Sequence, residues 1–153
     1  MYLSYGLLNR VQITVLALRD KGLGLGEIAR MLGLSKQAVW SIEKRARRLL
    51  ENAAKTLAAY ELATAASVIV VNPDTDLAKL PSYVIREADA NGVKLRLDYA
   101  GIYVFVRNES KKCTRDNGLD NFAILIFRDG RLRVYCLREI ESLLDLAGKI
   151  VEV

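Results

Sequence analysis

Two rhythms of apolar residues run along this chain, and the change from one to the other divides it. In residues 7–21, LLNRVQITVLALRDK, the apolar side chains of Leu8, Val11, Val15 and Leu18 recur at intervals of three and four, with Ile13 and Leu16 beside them. That spacing predicts one apolar face of an α-helix, which Gly22 and Gly24 are expected to end. In residues 25–44, LGEIARMLGLSKQAVWSIEK, Ile28, Ala29 and Leu32 line the inner face of a second helix, and Val39 and Ile42 that of a third. Gly33 stands where the chain must turn with positive φ. Leu34 is expected to plug the turn from below, and Ser35 is a natural N-cap. Ala29 is small enough for a steep helix crossing, and the first helix is expected to pack over Ile28, Leu32 and Ile42. The pattern predicts a helix-turn-helix, the plainer alternative being a helical hairpin in a core.

From residue 36 to about 66 neither Pro nor Gly interrupts the chain, and Ala is abundant, so helix continues. A bend is expected near 43–48, with a fourth helix after it. The stripe Ile42, Ala46, Leu49, Ala53, Leu57, Tyr60 keeps helical spacing beyond what a three-helix core needs. It serves either packing within the chain or the seam of a homodimer, the second being the expectation.

The rhythm then changes. SVIVV at 67–71 is a β-branched run that predicts a strand, and Asn72-Pro73-Asp74 a turn. The division is expected at about 62–68, giving domains 1–64 and 65–153. Pro81 suits the first turn of a helix carrying Val84, Ile85 and Ala88 on one face and stopping at Gly92. VKLRLDY and GIYVFVR alternate with period two and predict two strands turning at Tyr99-Ala100-Gly101. Residues 108–121, NESKKCTRDNGLDN, form an expected polar loop. NFAILIF and RLRVYCL flank Asp129-Gly130, a hairpin signal. REIESLLDLAG predicts a short amphipathic helix and KIVEV a last strand. The expected fold class is α+β: an N-terminal all-α helix-turn-helix domain of three to four helices and a small C-terminal α+β domain with a largely antiparallel sheet.

Composition adds a sharper point. The net charge of +5 is unevenly placed: residues 1–60 hold 10 Lys and Arg against 4 Asp and Glu, and residues 61–153 hold 13 against 14. A polyanion partner for the first part follows, because each neutralised phosphate releases counterion. No run of about 18 apolar residues predicts a membrane helix, and the start lacks the pattern of a secretory signal, so a cytoplasmic location is expected. The chain has no His, which excludes His-based catalysis. Cys113 and Cys136 lack zinc-ligand spacing. They are expected as free thiols, with a disulfide as the alternative, and Cys113 within KKCTR as a redox-reactive thiol as another. No metal, cofactor or catalytic residue is expected. Asp74, Asp76, Asp116 and Asp120, which a metal-dependent nuclease would use, lie where Asp serves turn chemistry.

The expected partner is double-stranded DNA. On the third helix Ser35, Lys36, Gln37, Trp40, Ser41 and Lys44 point outward near the N-terminal end, the end that enters a major groove. Gln37 can pair with adenine N6 and N7, and Lys36 can reach guanine or a phosphate. Ser35 and Ser41 suit phosphates or base edges. Trp40 either packs on thymine methyls and sugar or sits at the edge of the core. The cation run Lys44, Arg45, Arg47, Arg48 suits flanking phosphates.

The residues from Leu16 to Glu61, with the Leu-Arg-x-Lys-Gly lead-in at 18–22, Glu27-Ile28-Ala29, Gly33-x-Ser35 and Ile42-Glu43-Lys44-Arg45-Ala46, resemble the DNA-binding domain of the archaeal Tfx family of transcriptional regulators. More broadly they resemble the helix-turn-helix of sigma-factor region four and LuxR-type regulators. PSYVIREADANGVKL is similar, more loosely, to the family's C-terminal α+β domain. The resemblance implies a sequence-specific DNA-binding protein of archaeal type. Ala38-Val39-Trp40 departs from the Asn-Val-Ser common there, in the segment that sets the operator. For the C-terminal part three roles stand open: sensing a small-molecule effector with 108–121 as a lid, dimerisation, or contact with the transcription machinery. Lys111, Lys112 and Arg115 are candidates for a second DNA contact. The alternative function is a protein-interaction adaptor built on the same helical scaffold.

Overall fold

The computed structural model describes residues 4–153, which divide between residues 56 and 57 into two compact units. In the first, a two-residue hairpin of β1 (Ser4–Tyr5) and β2 (Leu8–Asn9) leads into α1 (Arg10–Asp20), α2 (Leu25–Leu32) and the opening turns of α3 (Lys36–Thr64). The Asn9 side chain accepts from the Gln12 N–H at 2.9 Å, and the Gln12 side chain accepts from the Asn9 N–H at 3.0 Å. This reciprocal cap starts α1 at Arg10 rather than at residue 7, and it turns Gln12 inward while Val11 stays exposed. Helix α2 ends on Gly33 at φ +65°, and the Leu34 N–H bonds the Ala29 carbonyl at 2.9 Å. The core consists of Val15, Ile28, Ala29 and Val39, with Leu18, Leu23, Leu25, Leu32 and Ile42 packed around it. Leu34 does not plug the turn. It is exposed, because the backbone bond to Ala29 closes the turn and the other leucines fill the space.

Helix α3 is continuous over 29 residues, so the expected separate fourth helix after 43–48 is instead part of α3. The absence of Gly and Pro permits this, and the Glu43–Arg47 ion pair at i, i+4 spans the segment where the bend was expected.

The second unit begins with the last turns of α3. It continues through β3 (Ser67–Val71), a 3-10 turn at Leu77–Lys79, α4 (Leu80–Ala90), α5 (Tyr99–Ser110) and a 3-10 turn at Lys111–Cys113. A small hairpin of β4 (Thr114–Arg115) and β5 (Gly118–Leu119) follows, then β6 (Phe122–Ile126), β7 (Leu132–Cys136), α6 (Leu137–Ile140), a 3-10 turn at Glu141–Leu146 and β8 (Ile150–Glu152). The sheet order is β7-β6-β3-β8, with the first two pairings antiparallel and β3–β8 parallel. Both faces are covered. Ile69, Val71, Phe122 and Ile124 pack with Leu80, Val84 and Ile102 of α4 and α5. On the other face Val68, Ala123 and Leu125 meet Ala58 and Leu62 of α3 and Ile140 of α6. Strands β3 and β6 are therefore buried throughout, which is why they read as unbroken apolar runs.

Three expectations are corrected here. The two strands expected over 93–107 are absent, and α5 occupies most of that stretch. Asp98 caps it by accepting from the Gly101 N–H at 2.8 Å, and Ile102 and Val106, four apart, are its buried residues. Alternation of Ile102, Val104 and Val106 satisfied both periods, and the cap decided for helix. The expected loop over 108–121 is instead the end of α5, a 3-10 turn and the β4–β5 hairpin. Cys113 and Cys136 are not free: they form a disulfide, with Cα atoms 5.2 Å apart, buried in the core beneath α4 and α5. The Asp129-Gly130 turn holds as expected, with Gly130 N–H to Phe127 O at 2.9 Å, Phe127 N–H to Arg131 O at 3.0 Å, and Gly130 at φ +83°. This is a type I turn closed by a left-handed Gly.

Candidate nucleic-acid interface

The N-terminal half of α3 is fixed in azimuth by what it buries. Val39, Glu43 and Ala46 face inward with Ile42 partly covered. The Ser35 hydroxyl caps the helix, accepting from the Ala38 N–H at 3.0 Å. With those positions turned in, Ser35, Lys36, Gln37, Trp40, Ser41, Lys44, Arg45, Arg47 and Arg48 are all exposed. Gln37, Ser41, Lys44 and Arg48 follow one line along the helix at i, i+4, i+7 and i+11, while Lys36, Trp40 and Arg47 flank it on one side and Arg45 on the other.

Two local contacts shape this face. The Lys44 ammonium lies 4.8 Å from the centroid of the Trp40 ring, a cation–π pair one helical turn apart. Trp40 is 44% exposed. It lines a shallow groove with Leu25, Lys36 and Gln37 rather than entering the core.

The second contact involves a residue that sequence reasoning did not single out. Glu43 receives Arg47 Nε and one terminal nitrogen at 2.9 and 2.7 Å, and Arg19 Nε from α1 at 3.1 Å. Arg19 also donates to the Leu23 carbonyl at 2.8 Å. Burial works against ionisation of Glu43, but the hydrogen bonds and charges of Arg47 and Arg19 outweigh it, holding the carboxyl below its ordinary range. Arg47 is thus partly neutralised and held in place. Among the described residues Lys36, Lys44, Arg45 and Arg48 make no ion pair. The one signal for Glu43 in the sequence was an acid on the inner stripe four residues before an arginine.

The other candidates belong to the second unit. Lys112 pairs with Glu109 and donates to the Val134 carbonyl at 2.8 Å, and Arg115 pairs with Asp120 at 2.7 Å. Asp120 also binds Arg138, and Asp76 caps a 3-10 turn by accepting from the Ala78 N–H. Among the described residues no three His, Cys, Asp or Glu side chains converge as a metal site. No helix there is long and apolar enough to cross a membrane.

A family model described as the C-terminal part of the TFX DNA-binding protein matches residues 53–134, more than half of the chain. The chain belongs to the TFX family of DNA-binding proteins. Its relatives include a Methanocaldococcus jannaschii protein named "Putative transcriptional regulatory protein", 34% identical over 128 residues, which are 83% of this chain and 93% of that protein. A Thermococcus kodakarensis protein of the same name is 35% identical over 83% of both chains. A third, from Pyrococcus abyssi, is 34% identical over 83% of this chain and 87% of its own length. The TFX model covers the end of α3 and most of the sheet unit, where the sequence resemblance was the looser. An alignment of 128 residues is longer than the second unit and therefore reaches into the first.

Proposed function

We propose that this TFX-family chain is a transcriptional regulator that binds double-stranded DNA through the outward face of α3, with α2, the Gly33 turn and α3 acting as a helix-turn-helix. The observation that carries this reading is the face itself. Lys36, Lys44, Arg45 and Arg48 are exposed cations without ion-pair partners among the described residues, and they surround the amide of Gln37 and the indole of Trp40. In this reading the first turns of α3 enter the major groove. Gln37 and Lys36 read base edges, Ser35 and Ser41 contact phosphate or base edges, and Arg45, Arg47 and Arg48 hold the backbone. The Glu43 pairing sets Arg47 at a fixed angle toward a phosphate. Residues 1–64 then carry recognition, and residues 65–153 carry sensing or partner contacts. The names of the relatives support the regulatory role.

The reading also includes a homodimer. Leu50, Ala53, Leu57 and Tyr60 follow one another along α3 at the three- and four-residue steps of a coiled-coil seam. Leu50, Leu57 and Tyr60 are 46%, 45% and 66% exposed. Selection of bound sequences from a random duplex pool tests both parts. A defined operator with half-sites about one helical turn apart is the expected result. Gln37→Ala is expected to relax specificity at one base position, while Arg48→Ala weakens binding to every sequence alike. Absence of any salt-dependent DNA affinity would leave the adaptor role instead.

A further inference from the structure

The second unit carries a basic surface that is not on α3 and is not the Lys111–Arg115 segment. The segment after α4 lies against the tip of the β6–β7 hairpin. The Arg96 N–H bonds the Gly130 carbonyl at 3.1 Å, and a side chain at Gly130 would collide with the Lys94 carbonyl. Two stretches far apart in the sequence thus bring Lys94, Arg96, Arg128 and Arg131 to one exposed corner, with Asp129 as the acid among them. The rest of the unit does not prepare for this, since residues 61–153 hold 13 cations against 14 acids.

The corner is also ordered in advance. Asp129 takes Arg96 at 3.0 Å and Arg131 at 2.7 Å on the same oxygen, and Arg96 Nε donates to the Asp129 backbone carbonyl at 2.9 Å. The Arg131 guanidinium sits 5.2 Å from the Phe127 ring centroid and uses only Nε on Asp129. Its terminal nitrogens make no hydrogen bond among the described residues, which leaves free the planar fork that suits phosphate oxygens. One carboxylate cannot neutralise four cations, so the corner keeps an excess positive charge on a rigid turn.

We propose that this hairpin corner is a second phosphate-contact surface for duplex DNA, separate from the α3 face. Its cations are assigned to the backbone, since they stand on a hairpin turn and not on a helix that enters a groove. This rests on the DNA-binding reading above, and the test separates the two. Binding of the full-length protein to one labelled random-sequence duplex is measured across a salt series. The variants are R96Q/R128Q/R131Q, R128Q alone and the α3 variant K44Q/R48Q. Each lost phosphate contact lowers the slope of log affinity against log salt by about 0.9. The expected drop is about 1 for R128Q and between about 2 and 3 for the triple variant. At low salt the triple variant should bind roughly ten-fold or more weakly. Arg128 makes no ion pair among the described residues, so R128Q gives a readout that misfolding does not supply. If both hairpin variants match wild type while K44Q/R48Q loses affinity, this proposal is overturned and the α3 reading stands. If all three match wild type, both fail.

Discussion

The two units hold themselves together in opposite ways. The first has a core of four buried side chains, Val15, Ile28, Ala29 and Val39, and its polar tie between α1 and α3 runs through Glu43. The second buries both faces of a four-stranded sheet and adds a disulfide at one end. A small helical core leaves most of α3's surface outside, where charged side chains can be presented. A sheet covered on both faces leaves little of its own surface to present, and the cations of the hairpin corner stand on connecting segments. The lesson is that the helical unit is a thin scaffold whose geometry depends on a few contacts, while the sheet unit has contacts to spare.

That contrast can be tested in descending order of effect. Ile28→Ala removes a central member of the smaller core and should cost about 3 to 4 kcal/mol. Hydrogen exchange should show the loss first in α1 and α2, and equal loss in β3 and β6 would break the comparison. Reducing the disulfide, or Cys113→Ser with Cys136→Ser, reopens a loop between residues 23 positions apart. It should cost about 3 kcal/mol in urea unfolding, with protection falling in β6 and β7.

Glu43→Gln should cost between about 1 and 2 kcal/mol by weakening two charge-assisted pairs, and should weaken DNA binding by releasing Arg47. Because the carboxyl is held below its ordinary range, its contribution is complete above that range. It is lost as pH falls through the lowered value. An acid unfolding curve that is identical in wild type and Glu43→Gln would show that the tie contributes nothing.

The smallest effect concerns the sheet unit. Tyr135 donates to Glu61 at 2.7 Å, and burial first, then this bond and the Glu61 charge, push its phenol up to about 12. The stabilisation is present below the ordinary tyrosine range and is lost as pH rises toward about 12. Tyr135→Phe should cost about 1 kcal/mol at neutral pH and abolish that alkaline difference, as read by phenolate absorbance and melting.

Legibility in the sequence followed the range of the forces involved. Gly33, Ser35 and the three-four spacing are local, so the turn and the outward face of α3 could be placed from them. Helix α5 was missed because Ile102, Val104 and Val106 fit either period, and the deciding contact is Asp98 capping Gly101. The order of residues 111–119 was missed because it leans on Cys113 bonding a strand 23 residues away. Glu43 was overlooked because Arg19, its second partner, lies 24 residues earlier. The hairpin corner was invisible because Lys94 and Arg96 meet Arg128 and Arg131 only in three dimensions.

The Lys112 side chain has a consequence for how copies of this protein can associate. β7 is a terminal strand of the sheet, and such a strand invites another chain to dock by backbone pairing. Here the Lys112 ammonium occupies the Val134 carbonyl at 2.8 Å, and the neighbouring Cys136 is bonded to Cys113. An incoming strand on that side would have to displace a charged amine. Open-ended strand-by-strand polymerisation is thereby discouraged at β7.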